Sequence, residues 1–372
     1  MNFLFINVNH DVGWESSESI PISLGYVLAT LKGHGYDGAI LDDLRDRPLT
    51  FKALDQTILR LNPVLIGFTT YQSTIDRIRF LSRYIKSRHR KILLALGGPQ
   101  IPAMPAEALE DLDDIDILVR SEGETVMMNM ARSLESGESL ENVNGITYRR
   151  NARIVDQQGP VDVPADLDFY PSPYLNNVIN LDGKDTAIIL SSRGCKSNCF
   201  FCITPLLCMG KIRYHSIGRV MDEMKLLSAR GIERFWFADP NFTENRERTL
   251  EFVEKKLELG IHTPFWFQTR SDLIDAELMD ALKKSGADTM AFGLESASPT
   301  VLKNINKRLD LDQLRKNMEY AQAIGLNTEL FTIYGLPGET VDDARITIDF
   351  VRSLGIPVES NSGSQQMQLY FG

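Results

Sequence analysis

Two successive rounds of strand–helix alternation constrain this chain more than any other feature. A short apolar run, closed by glycine or a polar turn and followed by helical spacing, packs as one unit of a parallel sheet. In the first round the strand candidates are residues 3–8, 39–41, 64–68, 92–96 and 115–119. Helical patterns fall at 22–31, 51–61 and 75–87, and Ser121-Glu122-Gly123-Glu124-Thr125 opens another. This predicts an α/β, doubly wound, Rossmann-like sheet over residues 1–150, with its ligand at the carboxyl ends of the strands. Residues 143–155 read as a small hairpin. Pro160, Pro164, Pro171 and Pro173 then mark an extended linker, and 151–184 is taken as the connecting segment.

The second round fills 185–372. Strand candidates at 187–191, 234–237, 265–268, 289–294, 329–334 and 365–370 alternate with helices at 220–229, 248–259, 276–284, 311–324 and 341–354. Repeats of this kind predict a partial (β/α)6 barrel of the TIM type, with chemistry at the carboxyl ends of its strands. Trp236, Trp266 and the neighbouring phenylalanines read as its core.

The chain has 372 residues, enough for two cores. A net charge of −10 argues against non-specific nucleic-acid binding. No uninterrupted apolar run is long enough to span a membrane. The N-terminus reads as a strand and not as a signal peptide. Four cysteines in a chain this long, three of them clustered, point to metal binding in a reducing compartment such as the cytoplasm.

The cluster is Cys195, Cys199 and Cys202, on the loop after the first barrel strand. Thiolates are the usual ligands of a 4Fe–4S cube. Three thiolates leave one of four irons open to substrate or cofactor. Structural zinc is the competing reading, with Cys208 or His215 as a fourth ligand, although no second cysteine knuckle is present. Cys208 reads as a packed thiol near the loop, with a catalytic thiol as the other option.

The spacing Cys-x3-Cys-x2-Cys, with Phe201 before the last cysteine, resembles the radical S-adenosylmethionine (radical SAM) enzymes. Further segments of the second part carry the resemblance. Phe237-Ala238-Asp239-Pro240-Asn241-Phe242 is similar to the family's polar turn, which implies that Asp239 and Asn241 receive the cofactor's amino group. A capping turn is the alternative. Arg270 either grips the cofactor's carboxylate or pairs with Asp272 at the surface. Gly293-Leu294-Glu295-Ser296 resembles the family's Gly-x-Glu-Ser segment, which places Glu295 near the ribose. A buried glutamate with no ligand would be costly to ionise. Gly335, in Tyr334-Gly335-Leu336-Pro337-Gly338-Glu339-Thr340, would let backbone approach the adenine or simply make a tight turn with Thr340 as a cap.

The first part resembles the cobalamin-binding-type domain that precedes many radical SAM barrels. Pro21-Ile22-Ser23-Leu24-Gly25-Tyr26, Gly97-Gly98-Pro99 and Ser121-Glu122-Gly123-Glu124-Thr125 carry that likeness. Thr69, Thr70, Ser73 and Thr74 offer hydroxyls, and Gly97 and Gly98 either admit a bulky ligand or form a tight turn. No histidine lies in the Asp-x-His-x-x-Gly pattern that ligates cobalt in many cobalamin proteins, so no lower axial ligand is named. His10 follows the first strand, where a hydrogen-bonded loop residue is the plainer reading. Members of the group usually continue beyond the sixth strand, whereas this sequence stops at Gly372. The resemblance reads that as a truncated chain or a missing substrate lid.

Taken together, the resemblance implies an oxygen-sensitive enzyme with a 4Fe–4S cluster, S-adenosylmethionine and cobalamin. Reductive cleavage of S-adenosylmethionine at the open iron would give a 5′-deoxyadenosyl radical. Methyl transfer to an unactivated carbon of a small-molecule or lipid substrate would follow, with flavodoxin or ferredoxin as electron donor. The alternatives are a radical SAM cyclase, rearrangement or oxidation catalyst, and a non-catalytic zinc or iron–sulfur module. No catalytic side chain is assigned beyond these.

Overall fold

The computed structural model describes residues 1–9, 20–44, 47–151, 153–208, 210–355 and 365–366. His10 lies outside them. The chain divides into two compact units: 1–165 with 169–184, and 166–168 with 185–368.

The first unit is built on a seven-stranded sheet of order β2-β1-β3-β4-β5-β6-β7. Its strands are β1 (Asn2–Asn9), β2 (Asp37–Leu44), β3 (Leu65–Thr69), β4 (Leu93–Gly97), β5 (Ile117–Val119), β6 (Ile146–Arg150) and β7 (Arg153–Gln157). The first five run parallel, and β6 and β7 add an antiparallel edge. Alternate residues of β1 enter two separate cores. Phe3 and Phe5 pack with Leu24, Val27 and Leu28 of α1 (Ile22–Gly33) and Val126 and Met130 of α4 (Gly123–Ser136). Leu4, Ile6 and Val8 pack with Leu54 and Ile58 of α2 (Phe51–Leu61) and Ile78, Leu81 and Ile85 of α3 (Ile75–Arg88). Burial on both faces is why these strands read as unbroken apolar runs. The strand order changes direction between β1 and β3, so the end of β3 borders that switch point and the end of β4 lies next to it.

The proline-bearing segment is not an extended linker where it is described. Tyr170, Tyr174 and Ile179 are buried. The Tyr170 hydroxyl bonds Thr125 Oγ1 at 2.8 Å. Helix α1 makes room with Gly25, where a Cβ would come within 2.9 Å of both Ile179 and Pro173. Segment and sheet thus cover opposite sides of α1, so Leu24 to Leu31 are all buried. The prolines stiffen the segment, but its tyrosines and isoleucine decide that it packs.

The second unit carries a six-stranded parallel sheet of order β15-β14-β13-β12-β11-β8. The strands are β8 (Thr186–Ile189), β11 (Arg234–Phe237), β12 (Phe265–Thr269), β13 (Ala287–Glu295), β14 (Asn327–Tyr334) and β15 (Gln365–Gln366). The rest of the sixth expected strand, 367–370, lies outside the described residues. A two-stranded hairpin, β9 (Ser192–Arg193) with β10 (Arg213–Tyr214), follows β8. Helices α6 (Ile217–Ala229), α7 (Arg246–Glu258), α8 (Ala276–Lys284), α10 (Leu311–Ala323) and α11 (Val341–Ser353) alternate with the strands. Short helices α5 (Thr204–Cys208) and α9 (Pro299–Asn304) sit in the loops after β9 and β13. Phe237, Phe265 and Phe267 form an aromatic layer with Phe242 and with Phe252 of α7. Their neighbours on the other sheet face, Trp236 and Trp266, meet edge to face at 5.5 Å. Trp266 Nε1 donates to Glu329 at 3.0 Å. This is an α/β fold with a Rossmann-like domain followed by a partial barrel.

Candidate functional site: a thiol loop at the strand ends

The cysteines lie on a loop bracketed by the β9–β10 hairpin. Gly194 turns into that loop at φ +105°, and a Cβ there would collide with the Lys211 carbonyl. Only glycine fits both constraints. The base of the hairpin is fixed from both sides. His215 N donates to Ser191 O at 3.0 Å, and the His215 ring meets Asp168 at 2.9 Å. Burial pushes the His215 imidazole down from 6.5 to about 4, against the hydrogen bond to the Asp168 carboxylate, so the ring is neutral at physiological pH.

Within the loop, Ser197 N donates to Cys195 Sγ at 3.4 Å and Cys202 N to Cys199 O at 3.1 Å. All four thiols are free; Cys202 is exposed and Cys195, Cys199 and Cys208 are half-buried. Burial raises the Cys199 thiol, while the Lys307 and Arg270 cations pull it down. Burial also raises Cys208, opposed by Arg193. Among the described residues no three His, Cys, Asp or Glu side chains converge as a single metal ion would require. A cube distributes its thiolates over separate irons, so it places no such demand. Three accessible thiols beside two cations fit a cluster that carries net negative charge.

The expected partners sit at the neighbouring strand ends, in varied surroundings. Asp239, after β11, is 1% exposed. It accepts from Ser191 N at 2.7 Å, Ser191 Oγ at 2.5 Å and Ser192 Oγ at 2.8 Å. Burial raises its carboxyl, against those hydrogen bonds. The structure thus commits Asp239 to holding the start of the thiol loop. Asn241 is likewise engaged: Nδ2 donates to Glu244 at 2.5 Å and Oδ1 accepts from Thr269 Oγ1 at 3.1 Å. Arg270, after β12, forms the fork with Asp272 that the surface reading anticipates, two bonds of 2.8 Å. Its Nη2 also donates to Arg308 O at 2.9 Å.

Glu295 ends β13 at a register shift and at φ +61°. It is not an isolated buried carboxylate, because Lys307 Nζ lies 2.7 Å from its Oε1. The same ammonium is 5.9 Å from the ring centroid of half-buried Phe201. Sequence reasoning missed Lys307, Ser191 and Ser192; only burial of the two carboxylates, which demands partners, signalled them. Gly335, after β14, has φ +84° and donates its N–H to Glu339 at 2.6 Å, which is the tight-turn geometry. A cavity of about 800 Å³ lined by Arg234, Thr289 and Asn327 lies at the opposite, amino end of the strands, so it is not part of this site.

In the first unit, Thr69 and Thr70 close β3 and are buried. Thr70 Oγ1 and both amide atoms of Gln100 are buried without hydrogen-bond partners among the described residues. Unmet polar capacity beyond the carboxyl ends of β3 and β4 suits a polar ligand. Gly98, at φ +101°, is required by close backbone: a Cβ would lie 2.8 Å from Thr70 N. Gly97 meets only ordinary contacts.

Against known families, residues 189–351 match the radical SAM superfamily and residues 16–131 the B12 binding domain. An uncharacterized methyltransferase of Pyrococcus horikoshii is 28% identical over 90% of this chain and 74% of its own length. An anaerobic magnesium-protoporphyrin IX monomethyl ester cyclase of Rubrivivax gelatinosus is 27% identical over 95% of this chain and 66% of its own length. Among solved structures, the radical SAM methyltransferase TsrM from Kitasatospora setae, with cobalamin and a [4Fe–4S] cluster bound, shares the fold. Its TM-score is 0.77 at 18% identity, over 95% of this chain and 74% of that one. Fold and thiol loop together define an enzyme that works through an iron–sulfur cluster. The chain carries a B12-binding domain at residues 16–131 ahead of a radical SAM domain at residues 189–351. Its cofactors are accordingly a 4Fe–4S cluster, S-adenosylmethionine and cobalamin.

Proposed function

We propose that this enzyme methylates an unactivated carbon of a small-molecule or lipid substrate. The observation that carries the reading is the union in one chain of a three-thiol loop at the strand ends with a B12-binding domain. When bound, the cluster and S-adenosylmethionine supply a 5′-deoxyadenosyl radical and cobalamin supplies the methyl group.

The chain's own residues position and shield. Cys195, Cys199 and Cys202 would hold three irons, and Phe201 packs the loop beside the Lys307 ammonium. Asp239 serves by anchoring Ser191 and Ser192, which sets where the loop begins. Asn241 and Arg270 shape the polar rim, with the Arg270 cation near Cys199 and Cys195. Glu295 and Gly335 flank the nucleoside of the cofactor, the first by its carboxylate and the second by open backbone. Thr69, Thr70, Gly97 and Gly98 form the cobalamin seat, where Thr70 and Gln100 offer unpaired polar atoms. We place the enzyme in the cytoplasm, in keeping with its four unpaired thiols, with a flavodoxin or ferredoxin as reductant.

The test is anaerobic reconstitution followed by S-adenosylmethionine, dithionite and candidate substrates. The reading expects 5′-deoxyadenosine together with a methylated product. A second reading, radical chemistry without methyl transfer, is favoured by the likeness to the cyclase. Substrate-dependent 5′-deoxyadenosine with cobalamin bound and no methylated product would select it. An assembled cluster that never cleaves S-adenosylmethionine would refute both.

A further inference from the structure

The segment after α9 is stitched to the thiol loop at three successive positions. Phe200 N donates to Ile305 O at 2.9 Å. Asn306 Nδ2 donates to Asn198 O at 2.8 Å. Lys307 Nζ lies 5.9 Å from the Phe201 ring centroid, within cation–π range. The same Nζ pairs with Glu295 Oε1 at 2.7 Å, with the two side chains only 8% and 9% exposed.

A simple ion pair would not require what surrounds this one. Glu295 is held in the left-handed region at φ +61°, a conformation a non-glycine residue adopts at a cost, and β13 shifts register to allow it. Gly293 leaves space for the pair: a Cβ there would collide with Glu295 Oε1 and lie 2.7 Å from Lys307 Nζ. Backbone strain, a bulge and a glycine thus converge to place an ammonium beside the loop. Its segment stands against the residues that flank Cys199 and Cys202 in the loop, Asn198, Phe200 and Phe201.

We propose that Lys307 is a positioning residue that sets the reduction potential of the cluster, with Glu295 as its opposing charge. The inference rests on the reading that Cys195, Cys199 and Cys202 hold the cluster. One-electron reduction adds a negative charge to the cube and its thiolates, and nearby charge is among the factors that set such potentials. A cation in a partly desolvated site favours the reduced form, and an anion disfavours it. In the native pair the two effects largely offset. Removing Lys307 leaves the anion and lowers the potential; removing the Glu295 charge leaves the cation and raises it.

The experiment compares wild type, Lys307→Gln, Lys307→Arg and Glu295→Gln after anaerobic reconstitution, with iron and sulfide assayed in each. The reduced cluster is then followed by electron paramagnetic resonance during a mediated dithionite titration. At the poise where wild type is half reduced, Lys307→Gln should show a reduced-to-oxidised ratio about tenfold lower, equivalent to about 59 mV for one electron. Glu295→Gln should be displaced in the opposite direction, and Lys307→Arg should stay within about twofold of wild type by retaining the charge. A merely structural role would move both neutral variants the same way or neither, and that result overturns the inference. If Lys307→Gln fails to load, Glu295→Gln decides: a higher ratio upholds the inference, and an unchanged or lower one overturns it. Failure of wild type to assemble a cluster would instead overturn the cluster reading.

Discussion

Lys256 tests how the second unit is held together beneath the strand ends. The residue is 0% exposed. Its Nζ donates to Ile261 O at 2.7 Å and Ser285 O at 2.6 Å, and lies 5.3 Å from the Phe265 ring centroid. It therefore ties the chain after α7 to the chain after α8. Burial lowers its pKa from 10.5 to about 8, because two carbonyls and an aromatic face only partly replace water. At about 1.36 kcal/mol per unit, the gap is worth about 3.4 kcal/mol. The folded value lies below the unfolded one. Below pH 8 the ammonium is charged in both states and the burial penalty is fully present. Between pH 8 and 10.5 the unfolded chain binds the extra proton, so stability rises with pH. From pH 7 to 10 the rise amounts to about 2.5 kcal/mol. Lys256→Met removes this titration without removing the apolar stem. Urea unfolding of the cofactor-free protein, followed by the fluorescence of Trp236 and Trp266, measures both proteins at each pH. The difference between them should shift by about 2.5 kcal/mol in favour of wild type from pH 7 to 10. A difference that stays constant across that range would refute the assignment.

His215, depressed to about 4, gives the mirror case. Below pH 6.5 the unfolded chain takes up a proton that the folded ring refuses. Stability should therefore fall by about 2.6 kcal/mol as pH drops from 6.5 to 4. His215→Gln should flatten that slope in acid-unfolding curves, and an unchanged slope would count against a neutral buried ring. Thr70→Val should raise the stability of the cofactor-free protein by about 1 kcal/mol, since it replaces an unpartnered buried hydroxyl by a methyl. The same variant should retain less cobalamin on gel filtration; equal retention would remove Thr70 from the seat. Gly194→Ala should cut the iron loaded on reconstitution by more than about half, because strain at this φ and the Lys211 collision displace the loop. Full loading would contradict that account of the glycine.

Much of the fold was legible because its determinants are local and periodic. The central strands of the first sheet, β1, β3 and β4, are covered on both faces, so they read as apolar runs between helical patterns. The thiol loop was legible because its three thiols lie within eight residues of one another. What escaped the sequence joins distant residues. Asp239 lies 48 positions from Ser191, and no spacing rule links them. Lys307 lies 12 positions beyond Glu295, across a helix and a turn. The proline-rich segment misled because proline reports stiffness and not exposure; Tyr170, Tyr174 and Ile179 carried the packing signal.

The two carboxylates at the ends of β11 and β13 show why residue type at a strand end does not fix its role. Asp239 and Glu295 are both almost fully buried, yet their surroundings differ in charge. Asp239 accepts from neutral donors, the two serine hydroxyls and the backbone N–H groups beside them, with the Arg248 cation acting on it through space. Neutral donors satisfy lone pairs but leave the cost of burying the charge largely standing, and its carboxyl is raised accordingly. Such a group fixes geometry and gains little from being ionised. Glu295 is met by an ammonium at 2.7 Å, so its buried charge is matched by one of opposite sign, and breaking the pair would leave an uncompensated charge. The second arrangement sets two opposite charges in direct contact beside the thiol loop. The division of labour follows: Asp239 sets where the thiol loop starts, while the Glu295–Lys307 pair sets the field in which those thiols act.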